Sequence, residues 1–220
     1  MPHWDTRTEE NWKKFKFNQP FAKGLKTLRE NVLSNPDFDP AVLWQWGTMQ
    51  AMAVIQILKD CEKKYGREGQ KLVNEALHKV GYNIGRQALE NIELDPDISE
   101  EEFISFYGTA MNCIAYASLE EPRIESGDRV AFDILWCPHQ DEYKPFDCRV
   151  QRYLVQGMID AARDTVAKHN WQMKFTCIIT AGADKCRFEI WKATEEEVEE
   201  WRKYTESLEQ KALEMSKREG

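Results

Sequence analysis

Residues 136–188 read WCPHQDEYKPFDCRVQRYLVQGMIDAARDTVAKHNWQMKFTCIITAGADKCRF, and they hold four of the chain's six cysteines. Cys137 ends an apolar run, and Cys148 opens a helical pattern. Cys177 lies in a β-rich run, and Cys186 follows the turn Gly182-Ala183-Asp184-Lys185. A helix packed on a hairpin brings Cys148, Cys177 and Cys186 toward one end. Three thiolates meeting there supply most of a tetrahedral zinc site, with Cys137 or His139 available as the fourth ligand. The spacing contains no CxxC pair. Cysteine is also a frequent core residue, so inert buried thiols are the other reading of the same pattern.

On either side of Cys148 the periodicities define elements. Arg129–Trp136 alternates as a strand. Phe146–Lys168 reads as a helix with Tyr153, Leu154, Met158, Ile159 and Ala162 on its inner face. Met173–Thr180 and Cys186–Lys192 read as a hairpin. Pro122–Asp128 reads as a turn. From Thr194 a long amphipathic helix carries Val198, Trp201, Thr205, Leu208, Ala212 and Met215 on one stripe. Its residues 195–219 hold nine glutamates against five lysines and arginines. A narrow apolar stripe of this kind docks on its own body or pairs with a second subunit.

Toward the N-terminus the chain is helical. Asp39-Pro40 is a helix start, a capping side chain followed by proline at the first helical position. Ala41–Tyr65 is apolar on more than one side, and Gly66 ends it. A second helix runs from about Glu68 to Asn91. It contains Gly81 and Gly85 one turn apart, each costing about 1 kcal/mol relative to alanine; close approach of another backbone is the natural reason for both. Ser99-Glu100-Glu101-Glu102 is a capping box that opens a third helix, in which Cys113 reads as core, like Cys61 before it. Residues 1–38 form a polar arm with Trp4, Trp12, Phe15, Phe17 and Phe21 scattered among lysines, most simply a short helix around Phe21–Leu33 behind a loose leader. The domain reading is therefore an arm (1–38), one α+β ligand-binding or catalytic domain (39–193) and a C-terminal helix (194–220). The helical N-terminal half packs on a C-terminal strand-helix-hairpin unit.

The 220 residues are enough for one sizeable core. A net charge of −8 argues against a nucleic-acid backbone as partner. No apolar run reaches the length of a membrane span, and the first residues carry no apolar signal core, so a cytoplasmic protein with reduced cysteines is expected. No P-loop, dinucleotide fingerprint, HExxH or GxSxG motif is present.

The loop 137–147 gathers a thiol, an imidazole, carboxylates, a phenol and an amine, as reactive loops on rigid scaffolds do. In a hydrolytic reading His139 or Asp141 takes a proton from attacking water. Cys137 is the alternative nucleophile, if His139 depresses its pKa. Arg149 and Arg152 at the start of the next helix suit a substrate carboxylate. Trp44 and Trp46 in the first long helix suit the wall of a ligand pocket.

The run Cys148-x8-Gly157, followed by Cys177-x4-Gly182-x3-Cys186-x-Phe188, resembles the small-molecule-binding module named for 4-vinyl reductases. It equally resembles the L-2-amino-thiazoline-4-carboxylic acid hydrolase-like relatives of that module. The resemblance lies in the C-terminal third of the chain. It implies a zinc site at the cysteines matching Cys148, Cys177 and Cys186; closed thiolate-rich sites are mostly structural, so such an ion is expected to hold the helix onto the hairpin. In the sensor branch a glutamate three residues before the second cysteine completes that site, and Lys174 stands there in this chain. The resemblance further implies a stand-alone hydrolase that opens a ring or cleaves a C–N or C–S bond of a small molecule. A non-catalytic binding module with a structural zinc is the alternative, and an assembly protein is the second. A homo-oligomer is expected in each case.

Overall fold

The computed structural model describes residues 21–90, 94, 97–116 and 119–218. The aromatics of the leader before Phe21 and the side chain of Cys113 lie outside the described residues. The chain is α+β, as its periodicities predict. Its elements are α1 (Phe21–Thr27, continued by one wider turn Leu28–Val32), α2 (Ala41–Leu89), α3 (Glu100–Tyr116), β1 (Leu119–Ser126), β2 (Arg129–Trp136), α4 (Arg149–Thr165), β3 (Trp171–Cys177), β4 (Cys186–Lys192) and α5 (Glu195–Arg218).

Asp39 caps α2 by accepting the Ala41 N–H at 2.9 Å. At Gly66 the backbone leaves helical geometry (φ 60°, ψ −135°), which divides α2 into the two arms expected from sequence. Ser99 and Glu102 exchange the two hydrogen bonds of the capping box, at 3.0 and 3.3 Å. The four strands form one antiparallel sheet in the order β1-β2-β4-β3.

One expectation is corrected. Pro122–Asp128, read as a turn, is mostly strand: β1 runs through it, with Pro122 paired to Phe132. Proline is tolerated because β1 is the sheet's edge, where a missing N–H breaks no ladder on the free side. The turn itself shrinks to Gly127-Asp128.

One face of the sheet is apolar. Val130, Phe132 and Ile134 of β2, Met173 of β3 and Phe188 and Ile190 of β4 meet Phe103, Ile104, Tyr107 and Met111 of α3 and Val155, Met158, Ile159 and Ala162 of α4 in one core. The other face is charged. There Asp133, 1% exposed, takes ionic contacts from Arg123, Lys185 and Arg187 at 2.6–2.9 Å. The second arm of α2 packs on α4 through glycine. A Cβ on Gly81 would meet the Leu154 carbonyl oxygen at 1.9 Å, and one on Gly157 would meet the His78 carbonyl oxygen at 2.1 Å. The paired glycines in α2 are therefore explained by backbone approach at Gly81. Gly85 makes room instead for the Tyr107 hydroxyl and for Ala161.

Candidate functional site

At the end of the sheet where β2 stops, the chain crosses beneath the first arm of α2 before entering α4. This loop, 137–148, is pinned from above. Thr48 Oγ1 donates to the Pro138 carbonyl at 3.1 Å, and the Tyr143 hydroxyl donates to the Ala51 carbonyl at 3.0 Å. Lys59 pairs with Asp147 at 2.9 Å. Ile55, Leu58, Tyr143 and Val150 form a small core between α2 and the loop. A stretch whose composition suits solvent is thus partly a buried cover.

Under that cover lies a cavity of about 30 Å3. Its walls are Ile134, Phe175, Ile178, Ile179 and Phe188, and Cys137, Cys148 and Cys186 face it together with His139, Tyr143, Gln151 and Thr180. The volume suits roughly two water molecules. Cys148 Sγ lies 3.4 Å from Thr180 Oγ1, and the Ile179 N–H donates to Cys186 Sγ at 3.2 Å. Cys177 stands aside, donating its thiol hydrogen to the Lys185 carbonyl at 3.4 Å. The structure therefore gathers Cys137, Cys148, Cys186 and His139 around one space and leaves Cys177 on its margin. Among the described residues no three His, Cys, Asp or Glu side chains come close enough to share a metal ion. Lys174, where the sensor branch has glutamate, pairs with Glu189 at 3.3 Å on the charged face of the sheet.

Burial sets the protonation of these groups. It pushes the Cys137 thiol up to about 12, with Cys186 and Cys148 adding to the rise against a hydrogen bond from the His139 N–H. Burial pushes Cys186 up to about 11 and raises Cys148 as well. Burial moves His139 the other way, down to about 4. At neutral pH the cavity therefore holds three thiols and a neutral imidazole, which stacks on Tyr143 with ring centres 4.9 Å apart. A thiol held near 12 is not an activated nucleophile. Gln151 lines this cavity, and its Oε1 is buried without a hydrogen-bond partner among the described residues.

The remaining sequence candidates lie elsewhere. Asp141 is exposed. Arg149 is bound to Glu62 at 2.8 Å and joins α4 to α2. Arg152 lies over the Trp201 ring at 4.0 Å and joins α4 to α5. Trp44 packs against Trp136 with ring centres 4.0 Å apart and planes tilted by 38°, and Trp46 is 61% exposed on the outer side of α2. Gln151 and Thr180 were missed as cavity residues. Gln151 had a signal, since it lies three residues after Cys148 on a helix and so shares its face.

These observations define an α+β domain with a thiol-lined cavity at one end of its sheet. No family model matches the chain. An uncharacterized protein of Archaeoglobus fulgidus is 54% identical to it over 216 residues, covering 96% of this chain and 95% of that protein, and the chain belongs to that protein's family. Two solved structures are similar at lower level. One is a trafficking protein particle complex subunit 3 from Naegleria fowleri covalently bound to palmitic acid, with 14% identity, a TM-score of 0.46 and coverage of 67% of this chain and 95% of that one. The other is the phenol-responsive sensory domain of the transcription activator PoxR, with 15% identity, a TM-score of 0.48 and coverage of 69% and 80%. Among the described residues no helix is long and apolar enough to cross a membrane.

Proposed function

We propose that this protein is a small-molecule-binding module whose ligand sits under the 137–148 loop. The observation that supports this reading is the cavity itself, apolar in its walls, with Gln151 among its lining residues. A compact apolar molecule suits such walls, and an N–H or O–H donor on it engages the Gln151 amide once that side chain turns toward the ligand. Ligands larger than about two waters require the loop to lift.

Hydrolysis is the second reading, favoured by His139, which stays unprotonated at neutral pH and can accept a proton. A base near 4 is weak, however, and catalytic bases work best near the operating pH. Zinc belongs with either reading. Cys137, Cys148, Cys186 and His139 are a suitable donor set, whose thiols the ion would have to deprotonate. As placed, no three of them are within reach of one ion. The proposal for zinc is therefore a structural clamp formed after side-chain rotation.

The test is titration with pyrrole, a compact donor of one hydrogen bond, followed by NMR and thermal shift. N-methylpyrrole, which lacks the donor, and an Ile179→Phe variant that fills the cavity serve as controls. Pyrrole binding that either control weakens supports the module. Absence of any perturbation by pyrrole removes it, and turnover of 2-aminothiazoline-4-carboxylate transfers the site to the hydrolytic reading. Elemental analysis of the same sample decides zinc.

A further inference from the structure

A second, larger recess of about 340 Å3 opens on the far side of Cys148, Phe175 and Ile178, which line both spaces. It lies between β3, the N-terminal part of α4 and the face of α5. Aromatic side chains of Phe146, Phe175, Trp201 and Tyr204 line it together with Arg149, Arg152 and Lys174, and no aspartate or glutamate is among its lining residues. That is unusual for a chain with 38 acidic residues and a net charge of −8. It is more unusual here because α5 brings an acidic helix to this wall.

The three cations are not equivalent. Arg149 is neutralised by Glu62 at 2.8 Å and Asp147 at 3.8 Å. Lys174 pairs with Glu189 at 3.3 Å, a carboxylate it shares with Arg129, so its charge is only partly matched. Arg152 donates to the Trp201 carbonyl at 3.2 Å and stacks on the Trp201 ring. Glu209, the carboxylate that acts on it electrostatically, is engaged by the Tyr153 hydroxyl and by the Asn74 amide. Arg152 thus carries a guanidinium charge, partly removed from water, with no carboxylate within ion-pair distance among the described residues. A guanidinium has five N–H donors in a planar fork, and most of them remain for a ligand.

We propose that this recess binds a planar organic anion, an aromatic carboxylate in the first instance. Its ring lies among Phe146, Trp201 and Tyr204, and its carboxylate is held by Arg152. The aromatic walls supply the apolar surface, although the Trp201 ring is itself stacked on Tyr204 and covered by Arg152. The unpaired guanidinium supplies the preference for charge, because a charge-assisted bidentate bond is the strong form of the interaction. Burial favours this as well, since a cation that desolvation weakens gains most from an incoming anion. The site is independent of the cavity under the 137–148 loop, and pyrrole binding there is neither required nor excluded.

The experiment is calorimetric titration of the whole chain with 2-naphthoate and with the neutral 2-naphthylmethanol. It is repeated on Arg152→Met, which keeps the length and removes the charge, and on Arg152→Lys. We expect naphthoate to bind the wild type, with naphthylmethanol weaker by about tenfold or more, the loss of one charge-assisted contact. Arg152→Met loses the same factor for naphthoate and none for the alcohol, and Arg152→Lys falls between. Equal affinity of the two probes for the wild type overturns the proposal without reference to any variant. So does no detectable naphthoate binding at millimolar concentration, or unchanged naphthoate affinity in a folded Arg152→Met.

Discussion

Gly157→Ala adds one methyl group where α4 crosses α2, and its cost can be worked from the contact. The new Cβ would stand 2.1 Å from the His78 carbonyl oxygen and 2.8 Å from the Tyr82 nitrogen. A comfortable carbon–oxygen approach is about 3.3 Å, so the helices must separate by about 1 Å. Both obstacles are helical backbone, which cannot swing aside as a side chain would. Overpacking of this kind costs roughly 1–3 kcal/mol, and a backbone obstacle places it at the upper end. Alanine returns about 1 kcal/mol of helix propensity. The net is a loss of about 2 kcal/mol, equivalent to a fall in Tm of about 4–8 °C for a chain of this size. Gly47→Ala is the matched control: a Cβ there meets nothing within 4 Å, so only the propensity gain remains. Its Tm rises by about 2–4 °C. Calorimetric melts of the wild type, the two variants and their double decide the matter. The double should be the sum of the singles, since the sites share no partner. A Gly157→Ala protein that melts at or above the wild type refutes the close-contact reasoning.

Two further outcomes are expected. Burial works against ionisation of Glu100. Hydrogen bonds from the Trp171 indole, the His169 ring and the backbone N–H groups of His169 and Lys168 outweigh it, and hold the carboxyl near 2. Its folded pKa lies below its unfolded value, so its stabilisation is complete above about 4.5 and is lost as pH falls toward 2. The Tm difference between wild type and Glu100→Gln should therefore shrink across that window, and a difference that is flat with pH contradicts the assignment. Tyr143→Phe removes one of the bonds that hold the 137–148 loop to α2. It should lower stability by about 1 kcal/mol. Amide exchange of residues 139–144 should speed up by about fivefold or more; unchanged exchange would mean that this bond does not hold the loop down.

How much of this was legible in the sequence depended on whether a signal was local. Asp39, Gly66 and the Ser99–Glu102 pair each act within one helical turn, and each does what its chemistry predicts. Gly81 was readable because a helix accepts an interior glycine only against a penalty, although nothing local showed that the partner would be Leu154 of α4. β1 was hidden because Pro122 and Gly127 are turn residues everywhere except on an edge, and edge position follows from sheet order. The site was half readable. The cysteine spacing implied convergence, and Cys148 and Cys186 do share a cavity. The bulge between Phe175 and Cys177 interrupts the alternation of β3 and accompanies the placement of Cys177 at the margin. Arg149 could not be separated from Arg152 by spacing, because what distinguishes them is the tertiary partner: Glu62 neutralises one and the Trp201 ring covers the other.

The same partner logic connects the cavity to the long helix above it. The loop over the cavity is held by Thr48, Ala51 and Lys59, all on the first arm of α2, and that arm continues past Gly66 into the arm packed on α4. The two neutral bonds contribute about 1 kcal/mol each, and the half-exposed Lys59 pairing adds less. Lifting the loop therefore costs about 2–3 kcal/mol before any apolar contact is broken. A closed state favoured by that amount leaves the open one at roughly 1%, and a ligand too large for about 30 Å3 binds with its affinity reduced by the same factor. Access to the thiols is thus set by α2 and not by the chemistry of the loop. The recess at Arg152 needs no such opening, because its walls already stand apart. The two spaces on either side of Phe175 consequently differ in kind: one is small and neutral and takes a larger ligand only when the loop lifts, and the other is larger and presents the Arg152 guanidinium.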